Sequence, residues 1–159
     1  HLAGELFKLI ARVDVIHVPY KGSSPAITDL LGGQVSMFFD NMASAVPYVK
    51  AGRLRALAIT TPRRSAALPE VPTMIEAGVP AYEAYSWNGV VVPAATPMPI
   101  VERLAKEISA VIALPEIGEK MKALGAEVVG NSPAAFAAFM EKESVKWGRV
   151  VREANIKPE

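Results

Sequence analysis

The chain has 159 residues, 51% of them hydrophobic, with 17 basic and 16 acidic side chains and a net charge of +1. That is apolar material for one domain, or one and a half, with a real core; it excludes a disordered tail, and the balanced charge carries no footprint of a nucleic-acid binder. The absence of cysteine excludes disulfides, thiolate metal sites and cysteine nucleophiles, and no segment approaches the roughly 18 to 20 uninterrupted apolar residues of a membrane span, so no membrane insertion is expected.

The chain opens inside an amphipathic pattern, with Leu2, Leu6, Leu9, Ile10 and Val13 on one helical face. A helix that starts at residue 1, uncapped and with no secretory signal before it, leads to the expectation of further chain upstream. A regular alternation follows: strand 15–18, helix 24–31 closed by Gly32-Gly33, strand 35–39, helix 41–51 closed by Gly52, strand 54–60. Strand, helix, strand, helix, strand is the pattern of parallel βαβ units, whose strands are almost continuously apolar because helices cover both sheet faces.

Prolines at 62, 69, 72 and 80 then interrupt every period, which predicts a long surface connection, with Thr73 capping one helical turn that ends at Gly78. A strand over 89–92 follows. Thr96-Pro97 and Ser132-Pro133 each combine a cap with a proline at the first helical position. The first launches a helix whose buried face is Ile100, Val101, Leu104, Ile108, Val111 and Ile112. Pro115 starts another, and a short strand at 127–129 precedes the helix launched by Ser132-Pro133. This last helix runs to about Ala154 with a buried stripe of Phe136, Phe139, Met140, Trp147, Val150, Val151 and Ala154. Residues 1–84 therefore read as most of a parallel α/β lobe, and residues 85–159 as helices that need a sheet from elsewhere to cover.

Ligands of open parallel sheets sit at the carboxyl ends of strands. The first exit, "PYKGSS", combines Lys21, a turn glycine at Gly22, and Ser23 or Ser24 as a helix cap before Pro25. It reads as an anion cradle or as a plain helix start. It is not a P-loop, a dinucleotide fingerprint or a nucleophile elbow, because the spacing of glycine, lysine and serine is wrong for each. At the second exit, Asp40 and Asn41 can meet a ligand amine or hydroxyl, or cap their own helix. At the third, Thr60 and Thr61 offer hydroxyls, while Arg63 and Arg64 read as solvated. Trp87, just before Gly89, is either a cleft wall beside a hinge or a core tryptophan. The two histidines, His1 and His17, have no metal-ligand spacing, and a Ser23, His17, Asp40 relay can be drawn without any support from spacing. No cofactor is called for.

The motifs "VPYKGSSPAITDLLGGQV", "FDN", "GRLRALAIT", "LPEVPTMIEAG", "YEAYSWNG", "TPMPIVERL", "LGAEVVG" and "KWGRVVREANIK" together, in this order and along the whole chain, resemble the extracytoplasmic solute receptors of the tripartite tricarboxylate transporters, the Bug family. The resemblance covers the C-terminal portion of such a receptor. It implies an α/β, periplasmic binding protein-like (type II) two-lobed fold, here incomplete, with residues 1–84 as most of the second, ligand-binding lobe and 85–159 as a hinge crossing and return segment of the first. It implies a periplasmic, non-enzymatic receptor that closes on a small carboxylate and delivers it to the membrane permease subunits of the transporter. The ligand-binding residues it points to are Lys21, Gly22, Ser23, Ser24, Asp40, Asn41 and Trp87, with His1 at the edge of a further turn. Ala81 and Ala95 stand where the family usually has glycine, so each asks for an ordinary turn or for strain. Two other readings stand beside this one: an α/β hydrolase using Ser23 or Ser24, and an interaction module whose helices pair with another chain.

Overall fold

The computed structural model describes residues 1–123 and 125–157. Leu124, which opens the motif "LGAEVVG", and the last two residues of the span 85–159 lie outside the described residues. The helices are α1 (Leu2–Ala11), α2 (Ser23–Leu31), α3 (Met42–Lys50), α4 (Met98–Ile112), α5 (Pro115–Ala123) and α6 (Pro133–Glu153). Each lies where apolar periodicity predicts it, because the stop signals act as their chemistry dictates. At the end of α2, Gly33 takes φ 73, which lets the Gly33 and Gln34 N–H groups turn back onto the Leu30 and Asp29 carbonyls. At the start of α6, Ser132 Oγ accepts the Ala135 N–H at 3.2 Å, with Pro133 in the first helical position.

Two predicted caps are corrected. Helix α2 begins at Ser23 with Gly22 as its N-cap, so neither serine caps it and Pro25 stands third. Gly22 takes that position because its φ of 113 is open only to glycine. Helix α4 starts at Met98 with Pro97 as N-cap, and Thr96 donates no cap.

The predicted strands are the larger correction: no strand forms among the described residues. Segments 15–18, 35–39, 89–92 and 127–129 make no ladder hydrogen bonds with one another. A strand exists only by pairing, and no ladder joins these segments to a neighbour among the described residues. Their side chains are correspondingly open, with Ile16 86% and Val91 73% exposed. Within 54–60, Ile59 forms an isolated parallel bridge to Thr73, its N–H donating to the Pro72 carbonyl at 2.7 Å and its carbonyl accepting the Met74 N–H at 2.9 Å, and the Thr60 carbonyl accepts the Ala84 N–H at 3.2 Å.

That bridge places the core. Ile59, Leu68 and Val71 are buried together and pack on Met42, Val46 and Val49 of α3. Thr73, Met74, Tyr82 and Ala84 are buried as well. The proline-rich stretch runs along the surface as predicted, with most of its residues exposed, but Leu68, Val71, Thr73 and Met74 within it are buried, and Leu68 and Val71 pack with Ile59 beside α3. Conversely, α4 buries no residue. Its predicted inner face, including Ile100, Leu104 and Val111, is about half exposed.

The chain packs as two compact units, His1–Ser86 with the chain from Arg149 onward, and Trp87–Gly148. In the second, Trp87 meets Phe136 and Phe139 edge-on with centroids 5.7 and 5.3 Å apart. Gly89 passes so near the Phe136 ring that a Cβ there would lie 2.1 Å from Cζ.

Candidate functional site

The turn 21–24 is held from both sides. Ahead of it, Tyr20 Oη donates to Asp29 Oδ2 at 2.8 Å, which ties the turn to the far end of α2. The same hydrogen bond to the Asp29 carboxylate raises the Tyr20 phenol above its ordinary range. Behind it, Ala26 and Ile27 anchor α2 in the interior. Lys21, Gly22 and Ser24 are left exposed.

The first and second predicted exits come together here. Ser23 Oγ donates to Asp40 Oδ1 at 2.6 Å across 17 residues of sequence. The other carboxylate oxygen, Asp40 Oδ2, is shielded from solvent and has no hydrogen-bond partner. Asn41 is the N-cap residue of α3, yet its side chain makes no cap bond. Its carbonyl accepts Ser44 Oγ at 2.9 Å, and its Oδ1 accepts Ser86 Oγ at 2.8 Å. No side chain caps α2 either, so the N–H groups of its first residues stand at the positive end of the helix dipole without a local acceptor. The cluster thus offers backbone donors, a serine committed as donor, and a carboxylate with spare acceptor capacity.

Not every sequence candidate joins it. His1 stacks on His17 with ring centroids 3.9 Å apart, and its Nε2 lies 3.9 Å from Glu5 Oε1. His17 is therefore committed to a ring contact, and no hydrogen bond links it to Ser23 or Asp40. Only the serine and the aspartate of the relay meet. Trp87 belongs to the second unit, within its aromatic cluster. Thr61 Oγ1 is spent on the Arg63 carbonyl at 2.7 Å. Arg64, read as solvated, pairs with Glu76 at 2.8 Å. Ser86 and Tyr20 are additions that sequence reasoning missed. The Ser86 to Asn41 bond spans 45 residues, and no local pattern announces it.

Among the described residues no group of three or more His, Cys, Asp or Glu side chains is arranged to hold a metal ion. A groove of about 410 Å³ lies on α4, lined by Pro99, Ile100, Arg103, Leu104 and Glu107, and shares no residue with the cluster. No helix among the described residues is long and apolar enough to cross a membrane.

The family described as "Tripartite tricarboxylate transporter family receptor" matches residues 1–156. The chain belongs to this family. A relative from Pseudomonas sp. (strain P51), described as "UPF0065 protein in tcbD-tcbE intergenic region", is 42% identical over 157 residues, covering 98% of this chain and 47% of that protein. The solved structure "R. palustris Rpa4515 with adipate" is 40% identical with a TM-score of 0.84, covering 100% of this chain and 53% of that one. "Structure of periplasmic binding protein BugD" is 35% identical with a TM-score of 0.80, covering 100% and 54%. The chain spans about half the length of most of the curated relatives it matches. The family is thus described as a receptor family, and one of these neighbours as a periplasmic binding protein.

Proposed function

We propose that the chain is part of a periplasmic solute receptor that captures a small carboxylate, a di- or tricarboxylate, amino acid or aromatic acid, for the permease subunits of a tripartite tricarboxylate transporter. The observation that carries this reading is the match, over the whole of this chain, to the structure "R. palustris Rpa4515 with adipate", at 40% identity and a TM-score of 0.84. On this reading the architecture is the type II two-lobed fold, of which this chain, with no strand formed among its described residues, is an incomplete part. Residues 1–84 supply most of the ligand-binding lobe, and residues 85–159 a hinge crossing and the return to the other lobe. Capture is by hinge closure and involves no covalent step.

The uncapped N–H groups of Ser23 and Ser24, beside the open turn of Lys21 and Gly22, hold the acid, and Asp40 and Asn41 meet its polar substituents. His1, stacked on His17, and Trp87, within the aromatic cluster of the second unit, stand outside this set. The net charge of only +1 accords with this role, because the anion is met locally by amides and not by a basic surface. The isolation of His17 from Ser23 speaks against the hydrolase reading.

A thermal-shift screen of the full natural chain that carries residues 1–159, against carboxylates and amino acids, tests the proposal. One class of acid is expected to raise the melting temperature in a concentration-dependent way with no turnover. Hydrolysis of an ester or amide that depends on Ser23, or the absence of any shift across the panel, would sink it.

A further inference from the structure

We propose that Asp40 gives the site a preference for acids carrying a hydrogen-bond donor, a hydroxyl or an ammonium, on the carbon next to a carboxylate. The inference rests on the solute-receptor reading and concerns the same turn.

Two opposite chemistries meet there. The first residues of α2 present N–H groups that no side chain caps, and these attract an anion. One hydrogen bond away is a carboxylate. Ser23 Oγ donates to Asp40 Oδ1 at 2.6 Å, while Asp40 Oδ2 is out of solvent with no donor of its own. Among the described residues no Lys, Arg or His forms an ion pair with Asp40.

The neighbours do not relieve it. Ser23 has a single proton and spends it on Oδ1. Ser86 spends its proton on Asn41 Oδ1. An acceptor removed from water without a donor leaves its desolvation uncompensated. A ligand ammonium or hydroxyl supplies that donor, whereas a second carboxylate at the same place meets like charge. Because the N–H groups and the Asp40 carboxylate are joined through one residue, Ser23, the ligand's carboxylate and donor must be neighbours too. That is the arrangement of an α-hydroxy or α-amino acid, and it is lacking in a plain dicarboxylate.

Isothermal titration of the full natural chain with L-malate, L-aspartate and succinate tests the proposal. Malate or aspartate is expected to bind about ten-fold or more tightly than succinate, the span of one charge-assisted hydrogen bond. Asp40→Asn is expected to bring that ratio close to one. Ser23→Ala keeps the carboxylate and is expected to keep the ratio, with circular dichroism showing both variants folded. A ratio near one in the wild type needs no variant to overturn the inference. A ratio that survives Asp40→Asn, one that collapses equally in Ser23→Ala, or an equal tightening of all three acids in Asp40→Asn overturns it too. The last of these outcomes would make Asp40 a counter-charge for α2. In each of these cases the receptor reading stands, whereas failure of every carboxylate and amino acid to bind the wild type overturns that reading and this inference together.

Discussion

Ala81 takes φ 58, in the left-handed region that a Cβ disfavours. Its neighbour explains why the chain accepts this. Tyr82 is fully buried and its Oη donates to the Ala3 carbonyl at 2.9 Å, so the turn at 81 delivers the ring to the interior. Burial also pushes the Tyr82 phenol well above its ordinary range, which leaves it protonated and a donor at physiological pH. Replacing Ala81 by glycine removes the Cβ clash, worth about 1 to 2 kcal/mol, against roughly 0.5 to 1 kcal/mol of extra chain entropy in the unfolded state. Ala81→Gly is therefore expected to stabilise by a few tenths to about 1 kcal/mol in a urea titration; unchanged or lower stability would show that the turn is not strained. From sequence, Ala81 and Ala95 looked alike, both alanines in place of an expected glycine. Only Ala81 is strained, since Ala95 keeps a negative φ, and this difference is set by which neighbour has to reach the core. The same limit applied to Asp40. Its residue type announced an acceptor, but its closeness to Ser23 depends on a fold that brings two turns together.

At the scale of elements, what could be read locally was read well. The segment "TMIE" forms a reciprocal capping box. Thr73 Oγ1 accepts the Glu76 N–H at 3.1 Å, and Glu76 Oε2 accepts the Thr73 N–H at 2.7 Å. The turn then closes at Gly78, as its composition predicts. The hydrogen bond from Arg64, followed by that from the Thr73 backbone, lowers the Glu76 carboxyl below its ordinary 4.5. A carboxyl lowered by folding contributes stability that is present above its unfolded pKa and is lost as the pH falls through the folded one. Glu76→Gln should therefore lower the melting temperature at pH 7, and the gap to the wild type should narrow as the pH is taken below about 4.5. A gap that stays constant with pH would assign the effect to lost backbone capping alone. The Arg64 partner, 12 residues away, was not legible; a charged pair closed by a loop leaves no period in the sequence. Strands failed for the related reason that pairing is non-local. The segments 15–18 and 35–39 have the composition of buried strands, but composition cannot supply the hydrogen-bonded edge that makes a strand.

For the whole molecule, the consequence is a large open apolar surface. Val90, Val91, Val129 and Val145 are each more than two-thirds exposed in the second unit, and Ile16 is so in the first. One exposed valine is ordinary, but this many large apolar side chains open to water on a short chain favour association. The 159-residue chain produced alone is expected to bind a hydrophobic reporter dye and to sediment with concentration-dependent mass. A monodisperse monomer with no dye uptake would mean that these faces are closed in solution. The family and the helices were thus legible in the sequence, whereas the location of the interior was not. The interior lies where Leu68, Val71 and Met74 thread between prolines, and that fact bears on how the chain can be edited. A run such as "TPRRSAALPEVPTMIEAGVP" has the composition in which a tag, a protease site or a fused domain is customarily placed. In this protein such an insertion would split Ile59 from Thr73 and Leu68 from α3, so the segment that looks most dispensable is the one that tolerates interruption least.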